Sequence, residues 1–325
     1  MSDILVLEDL CKYFDTNRGQ LHAVDGLNLR IAPNTTLGVV GESGCGKSTL
    51  GRTIIGLTAA TSGRILFDGQ DITRLKGNRR REICKKMQMI FQDPSSSLDP
   101  RMAVRDLIAE PLRIVDRRLG KKEVYRRVAE IMDAVGLDQR VAGSYPHELD
   151  GGRRQRIGIA RALIVEPKFI ICDEPVSALD VSIQAQIINL LQDLQKERGL
   201  TYIFITHDLS VVKHISDEIL VMYMGCQVEK SEKRSLFRYP LHPYTKGLLS
   251  AIPIPSIHVE RKEIGLQGEI TSPLNPKPGC RFAPRCPYAD ERCHTESPVS
   301  EELMPGHFCS CHHARAVNAD VLGGA

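Results

Sequence analysis

The sequence predicts an α/β protein: a mainly parallel, helix-covered sheet preceded by a small antiparallel layer, with an irregular Cys- and Pro-rich module at its end. Three observations carry this prediction. TLGVVGESGCGKSTLGRTIIGL reads as strand, glycine loop and helix in succession. FIICDEP and TYIFITHD are short apolar runs joined by a helical pattern, the alternation that builds parallel sheets. Composition then shifts near residues 230–235: 11 of the 18 prolines and five of the ten cysteines lie beyond this point. We therefore expect a body over 1–232 and a separate module over 233–325.

Each element has a local reason. ILVLEDL, LNLRI and RILFDGQDI are short strand-like runs divided by turn residues, which predicts the antiparallel layer. From Lys121 to Val135, residues Val124, Val128, Ile131, Met132 and Val135 fall on one helical face, and Gly136 closes the helix. This helix belongs to a helical subdomain expected over about 93–166. ELDGGRRQRIGIARAL places Asp150, Gly151 and Gly152 before a run of arginines that settles into a helix. A solvated loop and a basic helix is the plain reading. The other is an anion site, since the first N–H groups of a helix lack partners and its dipole favours negative charge. VSIQAQIINLLQDLQKERG carries Ile183, Ile187, Leu190, Leu191 and Leu194 on one face and stops at Gly199.

Bulk properties exclude several classes. With 42% hydrophobic and 26% charged residues the chain can bury a full core, and a net charge of +3 is too small to argue for a nucleic-acid partner. No stretch approaches the roughly 20 apolar residues of a membrane helix, and MSDILVLEDL lacks a basic leader and cleavage site. We expect a cytosolic chain that reaches a membrane only through a partner.

The chemistry is concentrated in three places. Gly41, Glu42, Ser43, Gly44, Cys45, Gly46, Lys47, Ser48 and Thr49 contain the pattern G-x-x-x-x-G-K-[ST] between a strand and a helix, the context this motif needs. Its glycines let backbone N–H groups curl around phosphate oxygens. Lys47 offers a cation to the β- and γ-phosphates, the Ser48 hydroxyl can ligate Mg²⁺, and Cys45 reads as filler. Such a loop needs a metal-directed carboxylate on a neighbouring strand, and FIICDE supplies Asp173 for Mg²⁺ with Glu174 beside it to polarise water. His207, ending TYIFIT, is placed to meet a γ-phosphate at the strand carboxyl ends, although a structural histidine is the plainer reading.

These stretches, with Gln92 after an apolar strand and SALD at Ser177, Ala178, Leu179 and Asp180, occur in the order found in ATP-binding-cassette (ABC) ATPases, which the chain resembles. The resemblance casts them as the Walker A motif, Q-loop, signature, Walker B motif, D-loop and switch histidine. It implies a P-loop NTPase core in which two ATPase subunits face each other, so that Asp150, Gly151, Gly152 and Arg153 serve ATP held by the partner subunit. It also implies Mg²⁺ near Ser48, Gln92 and Asp173, and an aromatic ring stacked on adenine. Counting from L-x-K-x-aromatic favours Phe14 over Tyr13, with a core aromatic as the alternative. Asp150 stands where the family usually has serine: an ionised carboxylate cannot donate to a phosphate, whereas it caps a helix well.

FQDPSSSLDPR, DEPVSALDVSIQAQI, HPYTKGLLSAIP and GCRFAPRCPYADERC narrow the resemblance to ATPase subunits of bacterial dipeptide and oligopeptide importers, and GESGCGKSTLGR to the second of the two such subunits. This implies ATP hydrolysis that energises peptide import by a peripheral subunit on the cytoplasmic membrane face. Its partners would be a second ATPase in a heterodimer, two integral-membrane permeases and an extracytoplasmic substrate-binding protein. Nickel importers share the architecture. A soluble ABC ATPase of an enzyme or nucleic-acid complex is the alternative from another class. In the tail, Cys280, Cys286 and Cys293 are separated by five and six residues, and Cys309 and Cys311 follow. Four thiolates on irregular backbone suit a tetrahedral metal or an Fe–S cluster, and reduced structural cysteines remain an alternative. The resemblance implies a [4Fe–4S] cluster on Cys280, Cys286, Cys293 and Cys311, with zinc as the other candidate and Cys309 as an extra thiol, while His294, His307, His312 and His313 leave a mixed Cys/His site open.

Overall fold

The structure, a computed structural model, describes residues 3–93, 97–251 and 272–323. Residues 94–96 of FQDPSSSLDPR and the last two residues of HPYTKGLLSAIP lie outside them. The chain divides into two compact units, one comprising Asp3–Ile31, Thr36–Thr73 and the residues from Thr206 onward, the other Ala32–Thr35 and Arg74–Ile205.

The first unit opens with β1 (Leu5–Thr16), β2 (Gly19–Ile31), β3 (Thr36–Val40), α1 (Lys47–Ile54), β4 (Ser62–Phe67) and β5 (Gln70–Asp71). The antiparallel layer expected from the sequence is present, in the order β2-β1-β4-β5. Leu5 lies opposite both Ile31 and Phe67. In β2, buried Leu27, Leu29 and Ile31 alternate with exposed Asn28 and Arg30, the period-2 pattern of a half-covered sheet.

The second unit holds α2 (Gly77–Lys86), β6 (Met87–Ile90), α3 (Val104–Val115), α4 (Lys121–Ala134), α5 (Gly151–Leu163), β7 (Phe169–Asp173), α6 (Val181–Arg198) and β8 (Thr201–Ile205). Strands β6, β7 and β8 pair in parallel, with Met87 opposite Phe169 and Phe169 opposite Thr201. Every residue of β7 and β8 is buried, which is why their sequences are unbroken apolar runs and not alternating ones. Helix α3 packs on α4 and α5. The predicted α4 stripe of Val124, Val128, Ile131 and Met132 is buried, and Gly199 ends α6 in the left-handed conformation.

The first unit resumes with α7 (Leu209–Ile215), β9 (Glu218–Tyr223), β10 (Cys226–Glu232), α8 (Lys233–Arg238), α9 (Pro243–Ser250), β11 (Glu301–Met304) and β12 (His307–Cys309). Strand β9 runs parallel to β3, and β10, β12 and β11 follow it as antiparallel neighbours. The tail is thus less irregular than its composition predicts. EELM and HFC are too short to show a strand period, and pairing with β10 selects their conformation. A buried pair anchors them: His307 Nε2 lies 2.7 Å from Glu229 Oε1, and Glu229 also accepts from the N–H groups of Leu241 and His242 at 2.8 and 2.9 Å. Ser235 Oγ lies 2.9 Å from His307 Nδ1. His307 and Glu229 are both fully buried, so this serine–histidine–carboxylate line joins the tail to α8 and α9 with no access for a substrate.

Candidate functional site

The phosphate-binding loop belongs to the first unit. Buried β3 delivers the chain to Gly41, and α1 begins at Lys47 with Leu50 N–H donating to Gly46 O at 2.8 Å. Two positions demand glycine. Gly46 has φ +104° and a Cβ there would stand 2.0 Å from the Ala23 carbonyl oxygen; at Gly41, φ +152°, it would stand 2.2 Å from that of Met222. The bare backbone lets the loop lie against two neighbouring strands, a close approach that a β-carbon at either position would block. Ser43 and Gly44 are exposed at its crest, and Ser48 and Thr49 are half-buried on the first turn of α1. The Lys47 ammonium is buried and held by the carbonyls of Gly41 and Glu42 at 2.8 and 2.9 Å. Burial pushes the Cys45 thiol up despite the neighbouring Lys47 charge, in keeping with a neutral filler.

Sequence reasoning missed what holds Glu42. Its carboxylate receives a two-pronged pair from Arg285 at 2.7 and 3.1 Å, and its N–H donates to Tyr244 Oη at 2.9 Å. In the same unit Tyr13 is engaged: its hydroxyl donates to Asp25 and its ring stacks on His22 at 3.9 Å. Phe14 is 37% exposed with the Lys12 ammonium 4.5 Å from its ring centre, and is therefore the open aromatic of the two. His207 is exposed and precedes Asp208, whose carboxylate caps α7 by accepting from Ser210 N–H at 2.7 Å.

The second unit carries the carboxylates. Asp173 ends β7 and is 1% exposed. Glu174 follows with φ +46°, a left-handed conformation that costs a β-carbon residue about 1–3 kcal/mol and that surrounding bonds must enforce. They do so here: its N–H donates to Ile205 O at 3.0 Å and its carbonyl accepts from Ser177 Oγ at 3.2 Å. The bend presents the Glu174 carboxylate to Gln92, whose Nε2 donates to it at 2.9 Å. Parallel pairing of β6 with β7 brings these residues, 82 apart in sequence, to the same strand ends.

The signature segment also lies in this unit. Asp150 is the N-cap of α5, its carboxylate accepting from Arg153 N–H at 2.8 Å, with Arg153 Nε 3.4 Å away. Of the alternatives left open by the sequence, the cap is the conformation adopted. The two glycines have a local role as well, which the sequence reading did not foresee. A Cβ on Gly151 would meet the Leu179 side chain at 3.1 Å, and one on Gly152 would meet Ile183 at 2.9 Å. Ser177, Ala178 and Asp180 are exposed around Leu179.

In the tail, Cys280 N–H donates to Cys293 O at 2.7 Å. Burial, with a smaller contribution from the Cys280, Cys286 and Cys293 thiols, pushes the Cys311 thiol up to about 12. Among the described residues, Asp290, Cys293 and His313 form the trio whose ligand atoms lie within 4.8 Å of one another. Cys309 is fully buried in an apolar cluster with Leu241 and Ala314, against which Cys311 also packs, and burial pushes its thiol up strongly.

A strand–glycine loop–helix with a seated lysine, and a second unit ending a buried strand in paired carboxylates, define a P-loop nucleotide-binding protein. The family model of the ABC transporter matches residues 24–177, and that of the oligopeptide/dipeptide transporter C-terminal region matches 228–293. Over 319 residues the chain is 54% identical to the oligopeptide transport ATP-binding protein OppF of Salmonella typhimurium, covering 95% of each chain. It is 50% identical to AppF of Bacillus subtilis, another oligopeptide transport ATP-binding protein, covering 95% of this chain and 97% of that one. Among solved structures it resembles the dimeric, post-hydrolysis ATP-binding cassette MJ0796 bound to ADP and Pi, with a TM-score of 0.66 and 28% identity over 71% of this chain and 99% of that one. The chain belongs to the ABC transporter family, among the oligopeptide transport ATP-binding proteins. No helix among the described residues is long and apolar enough to cross a membrane.

Proposed function

We propose that this chain binds and hydrolyses ATP to energise peptide import through an ABC transporter. The observation that carries the chemistry is the 2.9 Å bond between Gln92 and Glu174, which brings a carboxylate and an amide together where a water would be oriented. In this reading Glu174 is the general base, and Lys47 and the loop N–H groups bind the phosphates. Ser48, Gln92 and Asp173 supply the oxygen donors that suit Mg²⁺. His207 meets the γ-phosphate, Phe14 stacks on adenine, and the segment from Asp150 to Arg153 serves ATP of a partner ATPase. The similarity to oligopeptide transport ATP-binding proteins supports peptides as cargo over nickel, and a transporter over a soluble enzyme or nucleic-acid complex. The partners are a second ATPase subunit, two membrane permeases and, through these, a substrate-binding protein, which places the chain peripherally on the cytoplasmic face. The body over 1–232 is the nucleotide-binding domain and 233–325 the importer-specific module.

The tail thiols also suit a metal group. Four thiolates on one zinc would stand about 3.8 Å apart, as Zn–S bonds of about 2.3 Å in a tetrahedron require, closer than any three of these four sulfurs are grouped here. The Asp290, Cys293 and His313 trio would suit a single ion such as zinc, while the resemblance to importer ATPases supports a [4Fe–4S] cluster on Cys280, Cys286, Cys293 and Cys311, which would cross-link the tail. Anaerobically purified protein should then be brown with about four irons per chain; stoichiometric zinc without iron would reverse the assignment.

The function is tested by purifying the chain from membranes. Permeases should co-purify, Lys47→Ala should lose ATP binding, and Glu174→Gln should bind ATP while turning over about 10² more slowly or worse. A Glu174→Gln transporter with wild-type turnover removes Glu174 from its role, and a chain recovered without permeases refutes the importer.

A further inference from the structure

The cysteine turn of the tail grips the phosphate-binding loop from two sides. Arg285 immediately precedes Cys286, and its guanidinium is 5% exposed and forks onto the Glu42 carboxylate at 2.7 and 3.1 Å. The turn that carries it is closed by Ala283 N–H to Cys280 O at 3.0 Å and Cys286 N–H to Ala283 O at 3.2 Å. Tyr244 of α9 takes the Glu42 N–H. Its ring is wedged against Tyr223 and Phe282 at 4.7 and 5.5 Å between centres, so the hydroxyl has little freedom. Glu42 is in turn one of the two residues whose carbonyls hold the Lys47 ammonium. On the other side, Arg281 of the same turn pairs with Asp25 and donates to Met224 O, and the next residue, Gly225, donates its N–H to Cys45 O at 2.8 Å.

We infer that Arg285 and Tyr244 are positioning residues for the phosphate-binding loop, and that the cysteine turn is the strut that sets this chain's affinity for ATP. Two physical effects combine. The bidentate pair fixes the loop in the conformation that faces phosphate, and a guanidinium fork does this as a single-point ammonium cannot. The pair also neutralises a carboxylate that sits inside a loop built to receive anions. Without Arg285, that carboxylate stands partly buried on the loop without its guanidinium partner and repels the incoming phosphates. The importer-specific tail is thereby wired into the nucleotide site, and loss of order at Cys280 or Cys286 would reach Lys47 through two named bonds.

The inference rests on the reading that this loop binds ATP, and Lys47→Ala checks that separately: if Lys47→Ala binds Mg-ATP as wild type does, the reading itself fails. Titration of the full-length chain in its purified complex should give Arg285→Ala a Kd for Mg-ATP raised about tenfold or more, a change of about 1.4 kcal/mol. Arg285→Lys should fall between it and wild type, and Tyr244→Phe, which keeps the ring packing, should raise Kd severalfold. In turnover the loss should appear in KM for ATP with kcat within about twofold, because the residues touch the loop and not the reacting atoms. Glu42→Gln combined with Arg285→Ala should recover part of the affinity by removing the bare carboxylate. If Arg285→Ala does not fold, Arg285→Lys and Tyr244→Phe decide the matter. Folded variants that bind Mg-ATP within twofold of wild type overturn the inference, as does a loss confined to kcat.

Discussion

Asp150 joins two demands that a single substitution can separate. Its carboxylate oxygen accepts from Arg153 N–H at 2.8 Å at the start of α5, and both side chains are more than half exposed. Alanine removes the cap and should cost about 1 kcal/mol, or about 2–4 °C in Tm for a domain of this size. Serine keeps an acceptor at the same place, so Asp150→Ser should melt within about 1 °C of wild type. The ion pair with Arg153 adds little, since exposed pairs contribute under about 1 kcal/mol. Toward a nucleotide both substitutions remove a charge, and serine alone adds a hydroxyl that can donate to a phosphate oxygen. A carboxylate and a phosphate oxygen about 4 Å apart at an effective dielectric near 20 repel by about 4 kcal/mol, enough to slow closure of the composite site that this segment is proposed to complete with a partner subunit. In the reconstituted transporter Asp150→Ser should therefore raise ATPase activity without a change in Tm, whereas Asp150→Ala should raise activity and lower Tm. Calorimetry with steady-state ATPase assays reads both. An Asp150→Ser transporter of wild-type or lower activity refutes the electrostatic reasoning and leaves Asp150 as a cap alone.

Gly46→Ala should abolish nucleotide binding and lower Tm, because its Cβ would sit 2.0 Å from a backbone carbonyl at φ +104°; near-native binding in a filter or fluorescence assay would contradict the cradle geometry. Cys309→Ser should lose about 1–2 kcal/mol of stability, since a hydroxyl enters an apolar cluster; on the proposed cluster it should retain the iron of the wild type while Cys311→Ser loses it, and iron loss in Cys309→Ser would make Cys309 a ligand. His242 is fully buried, accepts from Tyr244 N–H at 3.1 Å, and has its pKa lowered by burial to about 4, against an upward pull from Glu229. The unfolded chain takes up this proton near pH 6.5, so the contribution is complete above that pH and is lost as pH falls toward 4, by about 1.4 kcal/mol per unit. Urea melts from pH 7 to 4.5 should show this slope, and His242→Asn, which keeps an acceptor, should flatten it.

Much of the fold was legible because its causes are local. An unbroken apolar run can be satisfied only by burial on both faces, which identified β7 and β8; stripes at helical spacing identified α4 and α6, and the glycines after them their ends. The phosphate-binding loop was legible for the same reason: its glycines, lysine and serine are contiguous and their chemistry needs no distant partner. Where a short segment takes its conformation from a neighbour the sequence was silent, as with β11 and β12, which are strands because β10 offers them an edge.

The sequence by itself determined the class of chemistry: bare backbone and a cation for phosphate, acids at a strand end for metal and water, thiols crowded near the tail. Only the tertiary structure decided how those groups are held. It pairs Gln92 with Glu174 across 82 residues and turns Asp150 into a cap. It places Cys309 among apolar side chains, and it sets Arg285 against Glu42 across 243 residues. Spacing along a chain fixes which residues share a helix face or a strand face, but a charge finds its counter-charge through strand order and helix packing, and these have no local signature.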